Sequence, residues 1–192
     1  MLIKVGDIRK IRQVAKNIPD EKIEIYIREA ESLDIIPYIG AAFYQKLNNI
    51  GDIKLDEVGN YLRDHDDTII STQNEDDLPI NEWKFLNGGY YKTQNGELKH
   101  FEGIRIAICY YSYARFVLMH STQVSPFGVV TKMGDESSAS DLKTITAISA
   151  EARKIADEYL RQSMEYWNEV RSVTDFKPGT ARKRRRFIPI GD

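Results

Sequence analysis

A chain of 192 residues with 42% apolar and 29% charged side chains is long enough for one substantial core and is not composed like a disordered polymer. Its formal charge of −2 is unevenly spread: residues 172–192 hold six bases and two acids, which leaves 21 bases against 27 acids, a net of −6, on residues 1–171. The lone Cys109 excludes an intramolecular disulfide and multi-cysteine zinc fingers, MLIKVGDIRKIRQVAKN is too charged for a secretory signal, and no run approaches a membrane span; folding in a reducing cytoplasm is expected.

The first predicted elements are short helices. Ile8, Ile11 and Val14 give one apolar edge, broken at Asn17-Ile18-Pro19. Asp20 then caps a second helix with Ile23, Ile27 and Ala30 on one face, and Pro37 is expected to close it. After Gly40, the segment 41–47 sets Phe43 and Leu47 one turn apart, and Gly51-Asp52 opens a weak helix carrying Leu55, Val58 and Leu62. From Arg63 to Asp77, RDHDDTIISTQNEDD holds six acids and no sustained period, so it reads as an acidic surface loop. INEWKFL, after Pro79, offers Trp83 and Leu86 to a core before Gly88-Gly89 stops it.

In YYKTQNGELKHF, Asn95-Gly96 accepts the positive φ angles of a type I′ turn and predicts a β-hairpin between Tyr90 and Phe101. Two strands alone are marginal, so this hairpin must lean on helices. Residues 102–123 form the most apolar helix: Ile104, Ile108, Tyr111, Ala114 or Arg115, Leu118 and Met119 follow helical spacing, and Ile106, Cys109, Tyr110, Tyr113 and Val117 widen the stripe. A helix apolar on so many sides is central. Ser125-Pro126-Phe127-Gly128 ends it, and 129–141 reads as a loop or extended arm. The last and longest helix runs over 142–172, with Ile145, Ile148, Ala152, Ile155, Tyr159 and Tyr166 as its seam, interrupted at Gln162. At about 1.5 Å per residue it spans about 45 Å, enough for part of it to contact another chain. The expected fold is mainly α: a helical bundle with one long C-terminal helix, a small β-hairpin near 90–101 and an extended C-terminal tail.

Catalytic signatures are sparse. His65 stands among aspartates in RDHDD, but His100 and His120 lie alone in other elements and give no metal-ligand spacing. Cys109, in mid-helix, reads as a small buried hydrophobe. NGGYY and PFGVV lack the glycine patterns that cradle phosphates, and no GxSxG occurs. Tyr90, Tyr91, Tyr110, Tyr111 and Tyr113 could stack on bases, yet their spacing beside leucine and isoleucine suits core or interface anchors, and no basic groove accompanies them. The expectation is a protein without catalytic residues, metal or cofactor.

The tail, TARKRRRFIPIGD, is the distinctive feature. Arg182, Lys183, Arg184, Arg185 and Arg186 could grip a phosphate backbone, but Phe187, Ile188 and Ile190 follow directly, and Pro189 disfavours helix. Bases with an apolar end fit docking into a protein partner, the bases meeting acids and the apolar groups a pocket. A second copy, acidic over residues 1–171, is one such partner.

The order of IREAESLDIIPYIGAAFYQKL, FLNGGYY, FEGIRIAICYYSYARF, FGVVTKMGDESS, a long helix and a basic tail resembles the helical head-to-tail connector (adaptor, head-completion or neck) proteins of tailed bacteriophages, particularly phages and prophages of Bacteroides-type hosts, crAss-like phages included. The likeness covers most of the chain as pattern and order. It implies a helical connector domain over 1–172, with the acidic loop 63–77, the hairpin 90–101 and a loop 124–141, and a docking tail over 173–192. Such a protein is made in the bacterial host cytoplasm and resides at the neck of the virion. It forms a twelve-fold ring, so the implied partners are the portal protein, other neck and tail proteins and further copies of itself. Genomic DNA would pass through the channel without sequence-specific binding, and no membrane is involved.

In such connectors a C-terminal extension commonly reaches into the portal or an adjacent subunit. That role maps onto Arg182, Lys183, Arg184, Arg185, Arg186, Phe187, Ile188, Pro189 and Ile190. Phe127, Gly128, Lys132 and Asp135 become candidates for an inter-ring or channel loop. The alternatives are a nucleic-acid-binding protein using the basic arm, and an enzyme whose only support is DHDD and Cys109.

Overall fold

The computed structural model describes residues 1–50, 80–120 and 142–171, and beyond these the backbone of short strands at 54–55, 62–63, 69–70, 122–125 and 128–131. The architecture is mainly α, with the long C-terminal helix and the hairpin that the sequence predicts. Helix α1 (Val5–Ile11) begins where the Asp7 carboxylate accepts the Lys4 N–H at 3.0 Å, and it turns Val5 and Ile8 inward. Helix α2 (Asp20–Ala30) buries Ile23, Ile27 and Ala30, the face its periodicity marks.

Pro37 does not close that helix. The coil passes from α2 through a π turn, Glu31–Ile35, into α3 (Ile36–Ile39), and stops only at Gly40, whose φ of 83° suits glycine and whose N–H donates to the Ile36 carbonyl at 2.8 Å. A proline ring inside a regular helix meets the carbonyl four residues back. The wider π turn just upstream relieves that clash and lets the chain continue.

Helix α4 (Ala41–Ile50) buries Phe43, Leu47 and Ile50. Where the sequence suggests a weak helix through Leu55 and Leu62, the backbone instead pairs β1 (Lys54–Leu55) with β2 (Leu62–Arg63) and β2 with β3 (Ile69–Ile70), all antiparallel. Gly59 and Asn60 are poor helix formers, and Ile69 and Ile70 are good strand formers, so the helical period loses to pairing. Arg63 of β2 and the third strand fall within the stretch read as an acidic loop; 64–68 and 71–77 lie outside the described residues, as does Val58.

Helix α5 (Ile80–Asn87) buries Phe85 and Leu86, with Trp83 only half-buried. The hairpin follows as β4 (Gly89–Lys92) and β5 (Leu98–Phe101), with Tyr90 opposite His100 and Tyr91 opposite Lys99. Gly96 carries the positive φ expected of its turn.

Helix α6 (Ile104–His120) is the central element, packed against α1, α2, α5 and α7 (Leu142–Arg171). It is shorter than predicted, because β6 (Thr122–Ser125) and β7 (Gly128–Thr131) form another antiparallel pair directly after it. Thr122, Val124, Val129, Val130 and Thr131 are β-branched and Pro126 cannot extend a helix, which favours strands over the predicted helix end and loop.

Helix α7 is 30 residues long and lies antiparallel to α6. Its seam departs from the predicted one: Ile145, Ser149, Ala152, Ala156, Leu160, Ser163, Tyr166 and Trp167 are buried, whereas Ile148 is 43% exposed. Small residues let the helices approach, and the Ser149 hydroxyl donates to the Ala114 carbonyl at 2.9 Å across the interface. Beyond α6 the same helix packs on α5 and β5, so much of its length is used within the chain. Met119, predicted on the apolar stripe of α6, is 52% exposed, while Phe116 is buried beside Tyr26.

Aromatic rings close the lower core: Phe43, Phe85 and Trp167 lie within 4.5–5.4 Å of one another, and Phe101 stacks on Tyr166 at 4.4 Å. The joint between α5, the hairpin and α6 rests on Gly88 and Gly103. Each has positive φ, and a Cβ on either would come within 2.6 Å of backbone atoms of the other's segment. Gly88→Ala or Gly103→Ala should therefore lower stability by about 3 kcal/mol or more, while Gly6→Ala, in open space on α1, should be neutral or slightly stabilising; urea unfolding of the three variants checks this.

Candidate functional site

The partner-binding residues expected from sequence, Arg182, Lys183, Arg184, Arg185, Arg186, Phe187, Ile188, Pro189 and Ile190, lie outside the described residues, as do Phe127, Lys132 and Asp135. Gly128 opens β7 and pairs with Ser125. His65 also lies outside. The site that can be built is therefore the surface and the polar interior of the body.

The interior polar groups have partners that explain them. Glu31 and Asp34, both on the π turn, are 3% and 8% exposed. Glu31 accepts the Leu2 N–H at 2.6 Å and the Tyr44 hydroxyl at 2.8 Å, so one carboxylate ties the N-terminal segment and α4 to the second helix. Asp34 accepts from the Arg115 guanidinium of α6 at 2.8 Å, and the same guanidinium lies 3.5 Å from Glu29. Burial and the Glu31 carboxylate hold the Tyr44 phenol well above the usual tyrosine range, and burial and Asp157, which accepts its hydroxyl, do the same for Tyr111. Burial also raises Tyr166, whose hydroxyl faces the Asn81 carbonyl.

Cys109 is buried, and burial pushes its thiol up to about 12, which leaves it protonated and unreactive as a nucleophile at neutral pH. Among the described residues no three His, Cys, Asp or Glu side chains gather as metal ligands. His100 packs against Tyr90, and His120 against Phe116. Of the tyrosines weighed as base-stacking groups, Tyr111 is buried and Tyr91, Tyr110 and Tyr113 are half-buried, whereas Tyr90 is 63% exposed; Tyr110 stacks on Tyr159, and the Arg12 guanidinium lies 5.1 Å from the Tyr110 ring and 5.8 Å from that of Tyr113. No described helix is long and apolar enough to cross a membrane.

A surface cleft of about 270 Å³ lies between the hairpin and the C-terminal half of α7, lined by Tyr91, Gln94, Lys99, Glu165, Asn168 and Glu169. Its aromatic wall is rigid, because Tyr91 packs edge-on against Phe101 at 5.7 Å and Tyr166 at 5.2 Å. Its potential is negative at the phenol: after burial, Glu165, Glu169 and Glu97 all raise the Tyr91 pKa, opposed by Arg161. Arg161 forms ion pairs with Glu158 and Glu165 one turn to either side, and its hydrogen bonds, with help from Gln162, lower Glu158 to about 2. Sequence reasoning named Tyr91 only as an aromatic and missed the rest of the cleft. Its walls come from elements more than sixty residues apart, and the local signal was only Glu165 and Glu169 one turn apart.

The fold and the cleft define a mainly α-helical protein with an acidic, aromatic-walled groove beside a β-hairpin. The chain belongs to DUF6712, a family of unknown function, which matches residues 69–186. No curated protein and no solved structure matches it.

Two predictions follow from the buried polar groups. Arg115→Ala leaves Asp34 buried without its cation and should cost about 3 kcal/mol in chemical denaturation, whereas Arg115→Met with Asp34→Leu should recover most of that loss. Tyr44, Tyr111 and Tyr166 have raised folded pKa values, so the stability they contribute is complete below the unfolded value of about 10 and is lost as pH climbs above it. In an alkaline titration their phenolate absorbance should rise together with loss of helical circular dichroism, not before it.

Proposed function

We propose that this protein is a structural subunit of a phage neck: a head-to-tail connector that forms a ring beneath the portal and docks through its basic, apolar C-terminal segment. The observation that carries the reading is the division of charge, +4 on residues 172–192 against −6 on the body, combined with the apolar residues directly after the basic run. The order of sequence features and the helical architecture around α6 support it. Closed rings require each copy to present two unlike faces, and an acidic body with a cationic arm supplies them. An acidic body also suits a channel through which DNA must slide, since dense bases would hold its phosphates.

The work of such a subunit is positional. Helices α6 and α7 give a stiff frame, the carboxylates of the π turn fix the N-terminal helices to it, and the tail supplies the reach to the portal or to a neighbouring copy. The loop expected over 124–141, with Phe127, Gly128, Lys132 and Asp135, is the candidate for contact between rings in this reading.

Deleting residues 180–192 should leave the circular dichroism spectrum and thermal transition of the body unchanged and abolish association with the portal in co-sedimentation. A truncated chain that sediments with portal as fully as the intact one removes the tail's assigned role. The intact chain in a gel-shift series decides against the nucleic-acid reading if DNA affinity is absent or insensitive to salt, because phosphate contacts made by the basic run would weaken steeply as salt rises.

A further inference from the structure

We infer that the cleft between the hairpin and α7 is the seat, on a second copy of this chain, for arginines of the basic run Arg182–Arg186. The inference rests on the ring reading above and deepens it by naming the acceptor. Four observations converge on it.

Charge is the first. Glu165 and Glu169 line the cleft and Glu97 lies near its tyrosine, against Lys99 and against Arg161, which already pairs with Glu165, whereas Arg182–Arg186 is the densest cationic stretch of the chain. The second is the wall: a half-buried tyrosine ring held in place by Tyr166 and Phe101 offers a preorganised surface on which a guanidinium can rest, with Glu165 and Glu169 beside it. The third is size. A volume of about 270 Å³ lies under the ~300–1,000 Å³ of small-molecule pockets and suits one or two side chains. Arg161 shows the chemistry on this same helix, where one guanidinium already bridges two glutamates.

Reach is the fourth: it allows a second copy, and the ring reading, in which unlike faces of adjacent copies must pair, selects one. The α7 wall of the cleft, Glu165 to Glu169, lies within the last two turns before Arg171, and ten residues separate Arg171 from Arg182. Extended, that stretch spans about 36 Å. That is enough to reach the cleft of an adjoining copy, the heterologous contact a ring repeats. Lys99 on the hairpin side opposes a cationic occupant and limits the seat to a few guanidinium groups rather than the whole run.

Disulfide trapping tests this with full-length chains in a Cys109→Ala background. One chain carries Gln94→Cys at the cleft and a differently tagged chain carries Arg185→Cys; they are mixed, mildly oxidised and resolved on a non-reducing gel. The expected result is a mixed dimer several-fold above that of a control pair, Ile25→Cys with Arg185→Cys, since Ile25 is exposed on α2 and not in the cleft. The yield should fall several-fold with Glu165→Gln and Glu169→Gln in the cleft chain or in about 0.5 M salt, and rise with Lys99→Ala. A yield equal to the control, or indifferent to the glutamates, overturns the assignment. A chain carrying both cysteines that closes only on itself overturns the second-copy claim.

The two readings fail separately. No trapping, with portal association still lost on deletion of 180–192, removes the cleft and keeps the connector. Trapping by a chain that, intact, fails to sediment with portal keeps the contact and removes the connector.

Discussion

The fold depends on one constraint: two carboxylates that must be buried on a single turn of the second helix. Glu31 and Asp34 lose their water, and each is stable there only because donors from other elements reach it. Leu2, Tyr44 and Arg115 are those donors, so satisfying one turn fixes the N-terminal segment, α4 and α6 at once. Arg105 of α6 completes the arrangement by donating to the Leu2 carbonyl at 2.9 Å, which leaves both backbone groups of Leu2 bound. The π geometry has a further effect on phase. Counted at 100° per residue from Ile27, Tyr38 would face the core and Ile39 would not. The extra residue of the π turn reverses this: Ile39 is buried and Tyr38 is 39% exposed. A one-residue insertion thus turns the apolar side chain inward and the phenol outward, next to the proline that a regular helix would not tolerate.

The second anchor is the crossing of backbones at Gly88 and Gly103. Here the chain leaves α5, makes the hairpin and returns to start α6 within a distance that no Cβ would permit. Because the hairpin is pinned at its base, its inner face can lie flat on α7, with Phe101 stacked on Tyr166 and Tyr91 edge-on to both. That packing places Tyr91 against the glutamates of α7. The cleft is thus a consequence of the joint, and its aromatic wall inherits the rigidity of the core behind it.

Much of this was legible in the sequence, and the failures have physical causes. The faces of α2 and α4, the central position of α6, the length of α7 and the Asn95-Gly96 hairpin all follow from periodicity and turn chemistry, which are local. The seam of α7 holds at Ile145, Ala152 and Tyr166 but moves one residue on from Ile148, Ile155 and Tyr159, because the small Ser149 and Ala156 give a weaker apolar signal than their neighbours yet are buried for their size, as is Ser163. The π turn was invisible: nothing in ESLDI announces an extra residue per turn, and Pro37 beyond it reads locally as a helix end until the tertiary partners of Glu31 and Asp34 are in place. Leu55 and Leu62 were read with a helical period that two short strands override. The cleft could not be read at all, since Tyr91 and Lys99 meet Glu165 and Glu169 only after the hairpin folds onto a helix some seventy residues later.

The division of charge constrains assembly in the connector reading more than any single contact does. An exposed run of five bases would adsorb to any nucleic acid, and a ring of such arms around a DNA channel would grip the genome electrostatically. Seating each run among a neighbour's carboxylates answers both problems together. The seated bases are neutralised where they bind, which weakens the arm's grip on DNA. Coulomb attraction between exposed groups is weak and salt-screened at each contact, so a lone pair of subunits gains little, while a closed ring gains the same increment at every junction with no free arm left over. Such a subunit would remain separate in dilute solution and commit to a ring where a template raises its local concentration.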